Sequence, residues 1–282
     1  MVQAGLIVEG GGMRGVYSAG VLDFFLDHNL DFPSCYGVSA GACHMTSYLS
    51  HQRGRAFAIN VDYLKDKHYC SAYSLIATGN LLGAEMLYDK IPNELNLFDY
   101  EAFAQNPSKF FVAATNCRTG AADYLSVDDL RRDMKKVQAS SSLPALARMV
   151  EVDGQLYLDG GMADSIPIRK SLEDGNEKNV VILTQHDGYQ KGRNKAMAIL
   201  KVKYRKYPKL IEAAGTRHIR YNEALAFVAE EQKRGHAFVI RPGNPVHVGR
   251  LEKNREKLQA LYEEGYADAK KSWPALRKFL GI

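Results

Sequence analysis

Leu6-Ile7-Val8-Glu9-Gly10-Gly11-Gly12-Met13-Arg14-Gly15 passes from a short apolar run into a glycine cluster, and Cys35-Tyr36-Gly37-Val38-Ser39-Ala40-Gly41 repeats that grammar. After the first, Val16 to Leu30 carries helical spacing through Ala19, Leu22, Phe25 and Leu26; after the second, a small-residue helix is predicted from Ala40 to about His51. Strand, tight turn and helix twice in succession place two parallel strands side by side, with a helix as the crossover between them.

Outward from this pair, Phe110-Phe111-Val112-Ala113-Ala114, Leu156-Tyr157-Leu158, Val180-Val181-Ile182-Leu183 and Ala237-Phe238-Val239-Ile240 are short apolar runs bounded by polar or Gly/Pro residues. They read as buried strands, giving a sheet of about six. Between residues 51 and 108, Tyr63, Tyr69, Tyr73, Tyr88 and Tyr100 stand among Leu and Ile; helical core packing is favoured there over an acyl-binding wall. From Leu251 a surface helix is expected through Leu258, Leu261 and Tyr262, broken at Trp273-Pro274. The expected fold is α/β: a three-layer α/β/α domain with a mainly parallel central sheet. Residues 1–190 form its core, and residues 191–282 form a C-terminal extension, with a basic segment, one strand and terminal helices, packed on the same domain.

A length of 282 residues, 46% hydrophobic and 24% charged, excludes a disordered chain, a collagen-like repeat and a disulfide-stapled miniprotein. Net charge is only +5, and it is concentrated: from Gln190 to Arg220 ten Lys or Arg face Glu212 alone. A nucleic-acid partner is not expected, because no aromatic platform or recognisable module accompanies those cations. Cys35, Cys43, Cys70 and Cys117 form no C-x-x-C pair, so neither a disulfide framework nor a metal site is indicated, and a reducing cytoplasm fits. The N-terminus lacks the features of a signal peptide, and no apolar stretch is long enough to span a bilayer. A cytoplasmic protein, at most peripheral at the inner membrane face, is the expectation.

Gly10-x-Gly12-x-x-Gly15, after a strand and opening a helix, has the form of a dinucleotide fingerprint. Glycines let backbone approach a ligand, and free N–H groups at a helix start stabilise negative charge, whether a pyrophosphate or the oxyanion of an acyl-transfer intermediate. The dinucleotide reading needs an acid at the end of the second strand; this chain has Ser39 there, and Asp31 precedes that strand. Gly37-Val38-Ser39-Ala40-Gly41 instead matches the G-x-S-x-G elbow, in which a sharp turn exposes a serine Oγ at the sheet's C-terminal edge. A serine hydroxyl needs a base, and Asp159-Gly160-Gly161 sets a carboxylate at another strand end, although in isolation Asp-Gly reads as a plain turn.

The ordered set of glycine turn, serine elbow and Asp-Gly-Gly resembles the patatin-like phospholipases. Ala139-Ser140-Ser141-Ser142-Leu143-Pro144 and Asp164-Ser165-Ile166-Pro167 are similar to two further blocks of that family, and the likeness runs over about residues 5 to 185. The resemblance implies a Ser39–Asp159 dyad without histidine, and an oxyanion hole from the glycine block Gly10, Gly11, Gly12, Arg14 and Gly15. In it, Gly11 and Gly12 offer N–H groups and Arg14 supports the loop or meets a lipid head group. It further implies hydrolysis of acyl esters of lipids, of phospholipase A or lysophospholipase type, with no cofactor and no obligate protein partner.

Two alternatives remain open. One is an α/β-hydrolase triad using His186, with His218, His236 or His247 as weaker candidates, although that fold normally places several strands before the nucleophile. The other is a lipid-binding module without catalysis. His44 reads as a satisfied helix residue. The helical stretch 195–206 of the basic segment is read as a solvated face first and as a contact for anionic membrane second.

Overall fold

The alternation of apolar residues in the central strands decides how the sheet is covered. In the computed structural model, which describes residues 1–282, Leu6 and Val8 of β1 (Gly5–Val8) enter one buried cluster and Ile7 enters another. Likewise Cys35 and Tyr36 of β2 (Ser34–Val38) point to opposite sides, so both faces of the sheet are buried. Between them runs α1 (Val16–Asp27), and α2 (Ala40–Leu49) follows β2. Next come α3 (Arg55–Val61), α4 (Ala72–Thr78), a wide π-type turn at Met86–Leu95 and α5 (Tyr100–Gln105).

The middle of the chain forms β3 (Lys109–Asn116), β4 (Ala122–Ser126), α6 (Leu130–Ser141), β5 (Val150–Val152) and β6 (Gln155–Asp159). It continues through α7 (Ile168–Glu173), β7 (Asn179–Ile182), α8 (Met197–Lys203), α9 (Pro208–Arg234), β8 (Ala237–Ile240) and α10 (Arg255–Leu280). Strand order is β5-β6-β3-β2-β1-β7-β8, with β4 paired to β3. The pairs β3–β2, β2–β1, β1–β7 and β7–β8 are parallel, and those made by β4, β5 and β6 are antiparallel. The expected three-layer α/β fold is present, with eight strands rather than six. The two extra strands carry little signal: Ala122-Asp-Tyr-Leu-Ser126 is half-buried throughout, and Val150-Glu-Val152 is three residues long.

One expectation for the C-terminal region needs correction. The basic helix spans only Met197–Lys203 of the expected 195–206, and Pro208 is the first residue of the 27-residue α9, where a proline loses no hydrogen bond. The break expected at Trp273-Pro274 is absent, since α10 runs through Pro274 to Leu280. Packing outweighs the lost backbone bond: Trp273 meets Phe24 and His28 of the α1 region at ring distances of 5.7 and 4.9 Å, and Leu276 and Leu280 beyond it are buried.

Helix α10 lies against α1 at backbone contact. A Cβ at Gly20 would stand 2.0 Å from the Tyr262 carbonyl oxygen, and one at Gly265 would stand 2.1 Å from that of Tyr17. Tyr17 donates to Asp268 at 2.8 Å and Tyr262 to Asp23 at 2.7 Å, fastening both ends of the crossing. Gly265→Val must push the helices apart, and it is expected to cost about 3 kcal/mol of stability. Thermal denaturation should show it as a fall in Tm on the order of 5–10 °C.

Candidate active site

Registers along β3 bring two strand ends together. Strand β2 pairs with β3 up to Val38 opposite Ala113, and β6 pairs antiparallel from Asp159 opposite Ala114. Strand β4 occupies the other edge over the same residues, so β2 and β6 share one edge and meet head to head. The residue after Val38 is Ser39, and its Oγ donates to Asp159 Oδ2 at 2.6 Å. Gly160 permits this: its Cα lies so close to β3 that a Cβ would be 2.0 Å from the Ala113 carbonyl oxygen.

Ser39 adopts φ 55° and ψ −124°, a left-handed conformation that turns β2 sharply into α2 and lifts Oγ above the strand. Such a conformation costs about 1–3 kcal/mol and is held by its surroundings. Gly37 packs on Ala42 and Gly41 on the Val8 carbonyl, so neither position has room for a side chain. The Ser39 N–H donates to Ser140 Oγ at 3.0 Å, and the Asp159 N–H to the Ser142 carbonyl at 2.8 Å. The serine block at the end of α6 therefore holds both partners by their backbones. Asp159 Oδ1 accepts the Gly161 N–H at 2.8 Å, and Ser165 Oγ donates to the Gly161 carbonyl at 2.8 Å.

The glycine turn closes the other side. Gly10, Gly11 and Gly12 line the same cleft as Ser39 and Asp159, and their N–H groups donate to no protein acceptor. The next amide, Met13, donates to the Arg250 carbonyl at 3.0 Å. Arg14 also lines the cleft, its guanidinium pushed below the usual arginine range by burial and by Arg250. Gly15 is not brought into the cleft; a Cβ there would sit 2.8 Å from His44 Cε1, so its role is close packing of α1 on α2.

Ser39 also opens onto an apolar pocket of about 700 Å³, walled by Ile59, Tyr69, Leu82, Leu87, Tyr88 and Leu143 among others. Of the tyrosines expected to be core, Tyr69 and Tyr88 line this wall, Tyr63 and Tyr100 pack on the core, and Tyr73 is exposed. Tyr88 shares a hydrogen bond with Ser141 at 2.6 Å, which ties the wall to the serine block. His44 faces the pocket too; Asn60 Nδ2 donates to its Nε2 at 2.9 Å, and burial lowers its pKa to about 4, keeping it neutral.

No histidine bonds to Ser39 or Asp159. His186 packs on the Tyr189 ring with its Nδ1 unpartnered, His236 pairs with Glu231 at 2.8 Å, and His218 lines an adjoining groove that shares Lys191, Arg217 and Arg250 with the cleft. Four cleft residues were not singled out from the sequence as part of a site: Glu9, Lys191, Arg217 and Arg250. Lys191 and Arg217 belong to the basic segment read as a solvated or membrane-facing surface. The signal lay in spacing: Ala213, Arg217 and Tyr221 fall four residues apart on the inward stripe of α9, where Ala213 and Tyr221 are buried.

Parallel strands that end in a glycine turn and in a serine hydrogen-bonded to an aspartate, with no histidine attached, define a distinct class of α/β protein. Residues 6–171 match the family described as patatin-like phospholipase, and the chain belongs to that family. Residues 207–281 match a domain of unknown function, DUF6363. The chain is 30% identical over 183 residues to the uncharacterized protein YjjU of Escherichia coli K12, covering 64% of this chain and 51% of YjjU. It is 22% identical over 191 residues to the probable lipid hydrolase 463L of Invertebrate iridescent virus 6, covering 62% of this chain and 65% of that protein. It thus spans about half to two thirds of the length of these relatives. The crystal structure of VipD from Legionella pneumophila shares the fold at a TM-score of 0.52 and 12% identity, covering 99% of this chain and 66% of VipD.

Labelling by a fluorophosphonate probe, mapped by mass spectrometry, is expected at Ser39. His186→Ala should be labelled as fast as the wild type; loss of labelling there would revive the histidine triad.

Proposed function

We propose that this protein is a serine acyl-ester hydrolase acting on lipids, of phospholipase A or lysophospholipase type, through a Ser39–Asp159 dyad. The observation that carries the reading is the 2.6 Å Ser39 Oγ to Asp159 Oδ2 hydrogen bond at the junction of an apolar pocket and a turn of free amides. Membership of the patatin-like phospholipases and similarity to a probable lipid hydrolase support it.

In the first half-reaction Asp159 Oδ2 takes the hydroxyl proton as Ser39 Oγ bonds to the ester carbonyl carbon. The oxyanion turns toward the unengaged N–H groups of Gly10, Gly11 and Gly12, which stabilise charge that develops only in the transition state. Collapse expels the alcohol, which leaves with the proton from Asp159. Water then gives a proton to Asp159 and attacks the acyl-enzyme, releasing the acid and restoring Ser39. A carboxylate is a weak base toward a hydroxyl, so the scheme relies on the burial of both partners, 8% and 2% exposed, and on donors already in place.

Asp159→Asn keeps the volume and an oxygen for the Gly161 N–H, but puts an NH2 group that cannot accept the proton opposite Ser39 Oγ. It is expected to lower kcat by roughly a thousandfold with an unchanged circular dichroism spectrum; wild-type turnover in that variant rules out the dyad.

The exposed face of α8 and the turn after it supports peripheral contact with anionic lipid. Ile199 and Val202 are 62% and 74% exposed, and Lys201, Lys203, Arg205 and Lys206 surround them. No helix is long and apolar enough to cross a membrane. Replacing the four cations by Gln should weaken binding to phosphatidylserine vesicles, read by sedimentation, by up to about a thousandfold, at about 1 kcal/mol for each basic residue near the surface. Unchanged binding removes the membrane contact and leaves the dyad untouched.

A further inference from the structure

The cleft that holds the dyad is cationic, and its cations have no partners. Arg14, Lys191, Arg217 and Arg250 line it together with Ser39 and Asp159. None of the four side chains is within ion-pair distance of a carboxylate. Arg14 Nε and Arg217 Nε are sealed from solvent without a hydrogen-bond acceptor. An unpaired, partly buried guanidinium is costly, so such a cluster persists where an anion completes it.

The two carboxylates that face the cleft are already engaged by uncharged donors. Glu9 Oε2 accepts from the Thr184 N–H at 2.8 Å and its hydroxyl at 3.1 Å, and Glu9 Oε1 accepts from the Tyr221 hydroxyl at 2.7 Å. Asp159 accepts from Ser39 and from the Gly161 N–H. With Lys191 protonated, four cations against two carboxylates leave an excess of two positive charges, which a dianion neutralises.

The cations are also held in place. Lys191 is clamped to α9 by Asn222, which accepts its N–H at 2.8 Å and donates to its carbonyl at 3.2 Å, and its ammonium lies 4.0 Å from the Tyr221 ring centre. Arg217 rises from α9 beside Gly161, and Arg250 is fixed through its carbonyl to the Met13 N–H. Burial, Arg217, Arg250 and Arg14 together push the Lys191 ammonium down to about 7, a penalty that an anion among them relieves. A choline or ethanolamine head group finds no free carboxylate here, and the Tyr221 face that could receive it already carries Lys191.

Resting on Ser39 as the nucleophile, we infer that this cleft is a subsite for a phosphate monoester, so that the substrate is an acyl ester bearing a dianionic phosphate a few bonds from the scissile carbonyl. Guanidinium groups match phosphate oxygens with paired, charge-assisted hydrogen bonds. The acyl chain then runs into the apolar pocket on the other side of Ser39, and the phosphate decides which lipids are positioned for attack.

Calorimetry on the whole protein reads the subsite without turnover. Glycerol 3-phosphate should bind at least about tenfold more tightly than glycerophosphocholine, and Arg217→Met and Lys191→Gln should each weaken it by about tenfold. Hydrolysis reads the substrate: kcat/KM for 1-oleoylglycerol 3-phosphate should exceed that for 1-oleoylglycerophosphocholine and for 1-oleoylglycerol by about tenfold or more. Should a variant fail to fold, these wild-type comparisons decide alone. Equal kcat/KM for the three esters overturns the subsite while leaving the hydrolase intact. Selective binding of glycerol 3-phosphate with no ester cleaved supports the subsite and overturns the hydrolase. Inorganic phosphate binding as tightly as glycerol 3-phosphate, with no discrimination among esters, makes the cleft a free-phosphate site and overturns the proposal.

Discussion

Strand β3 offers a single edge to two strands running in opposite directions, and the place where they abut holds the hydrogen-bonded pair Ser39 and Asp159. Hydrogen-bond register is discrete, so the distance between Ser39 and Asp159 is set by counting residues along β3 rather than by side-chain flexibility. Everything nearby reinforces that spacing: Gly160 lies on the Ala113 carbonyl, and Ser140 and Ser142 bind the two backbones from α6. A slip of one residue in β6 would turn the carboxylate to the opposite face of the sheet.

The dyad sits on the boundary between two environments of opposite character. On one side are mainly aromatic and aliphatic walls; on the other are guanidinium and ammonium groups, with Arg250 lining both. A lipid has the same division along its length, and its ester lies at the same boundary. Under the proposed function, that division would orient a lipid ester before any specific contact with the reacting atoms is made.

The central pair of strand–turn–helix units was legible because it is local: the period-two apolar runs, the glycines and Ser39 all lie within a few residues of one another. Asp159 was legible as a strand end, and its meeting with Ser39 came only from the family resemblance, since the pairing of β3 with β6 is a long-range fact. The edge strands β4 and β5 were missed for want of apolar residues or length. Pro274 misled because local propensity favoured a break, while the aromatic contacts of Trp273 with α1 held the helix together. The inward cations were hidden for a related reason. In a run of ten basic residues the composition speaks of a surface, and only the phase of Arg217 relative to Ala213 and Tyr221 on a long helix speaks of the interior.

The bond from the Met13 amide to the Arg250 carbonyl has a consequence for the time order of biosynthesis. The glycine turn is synthesised more than two hundred residues before Arg250, which clamps it, and the helix that covers α1 follows later still. A nascent chain short of Arg250 leaves Tyr17, Phe24 and the rest of that helix face uncovered, and leaves the turn without its brace. Contacts of such sequence separation form slowly. The cleft around Ser39 is thus completed only after Arg250 has been made.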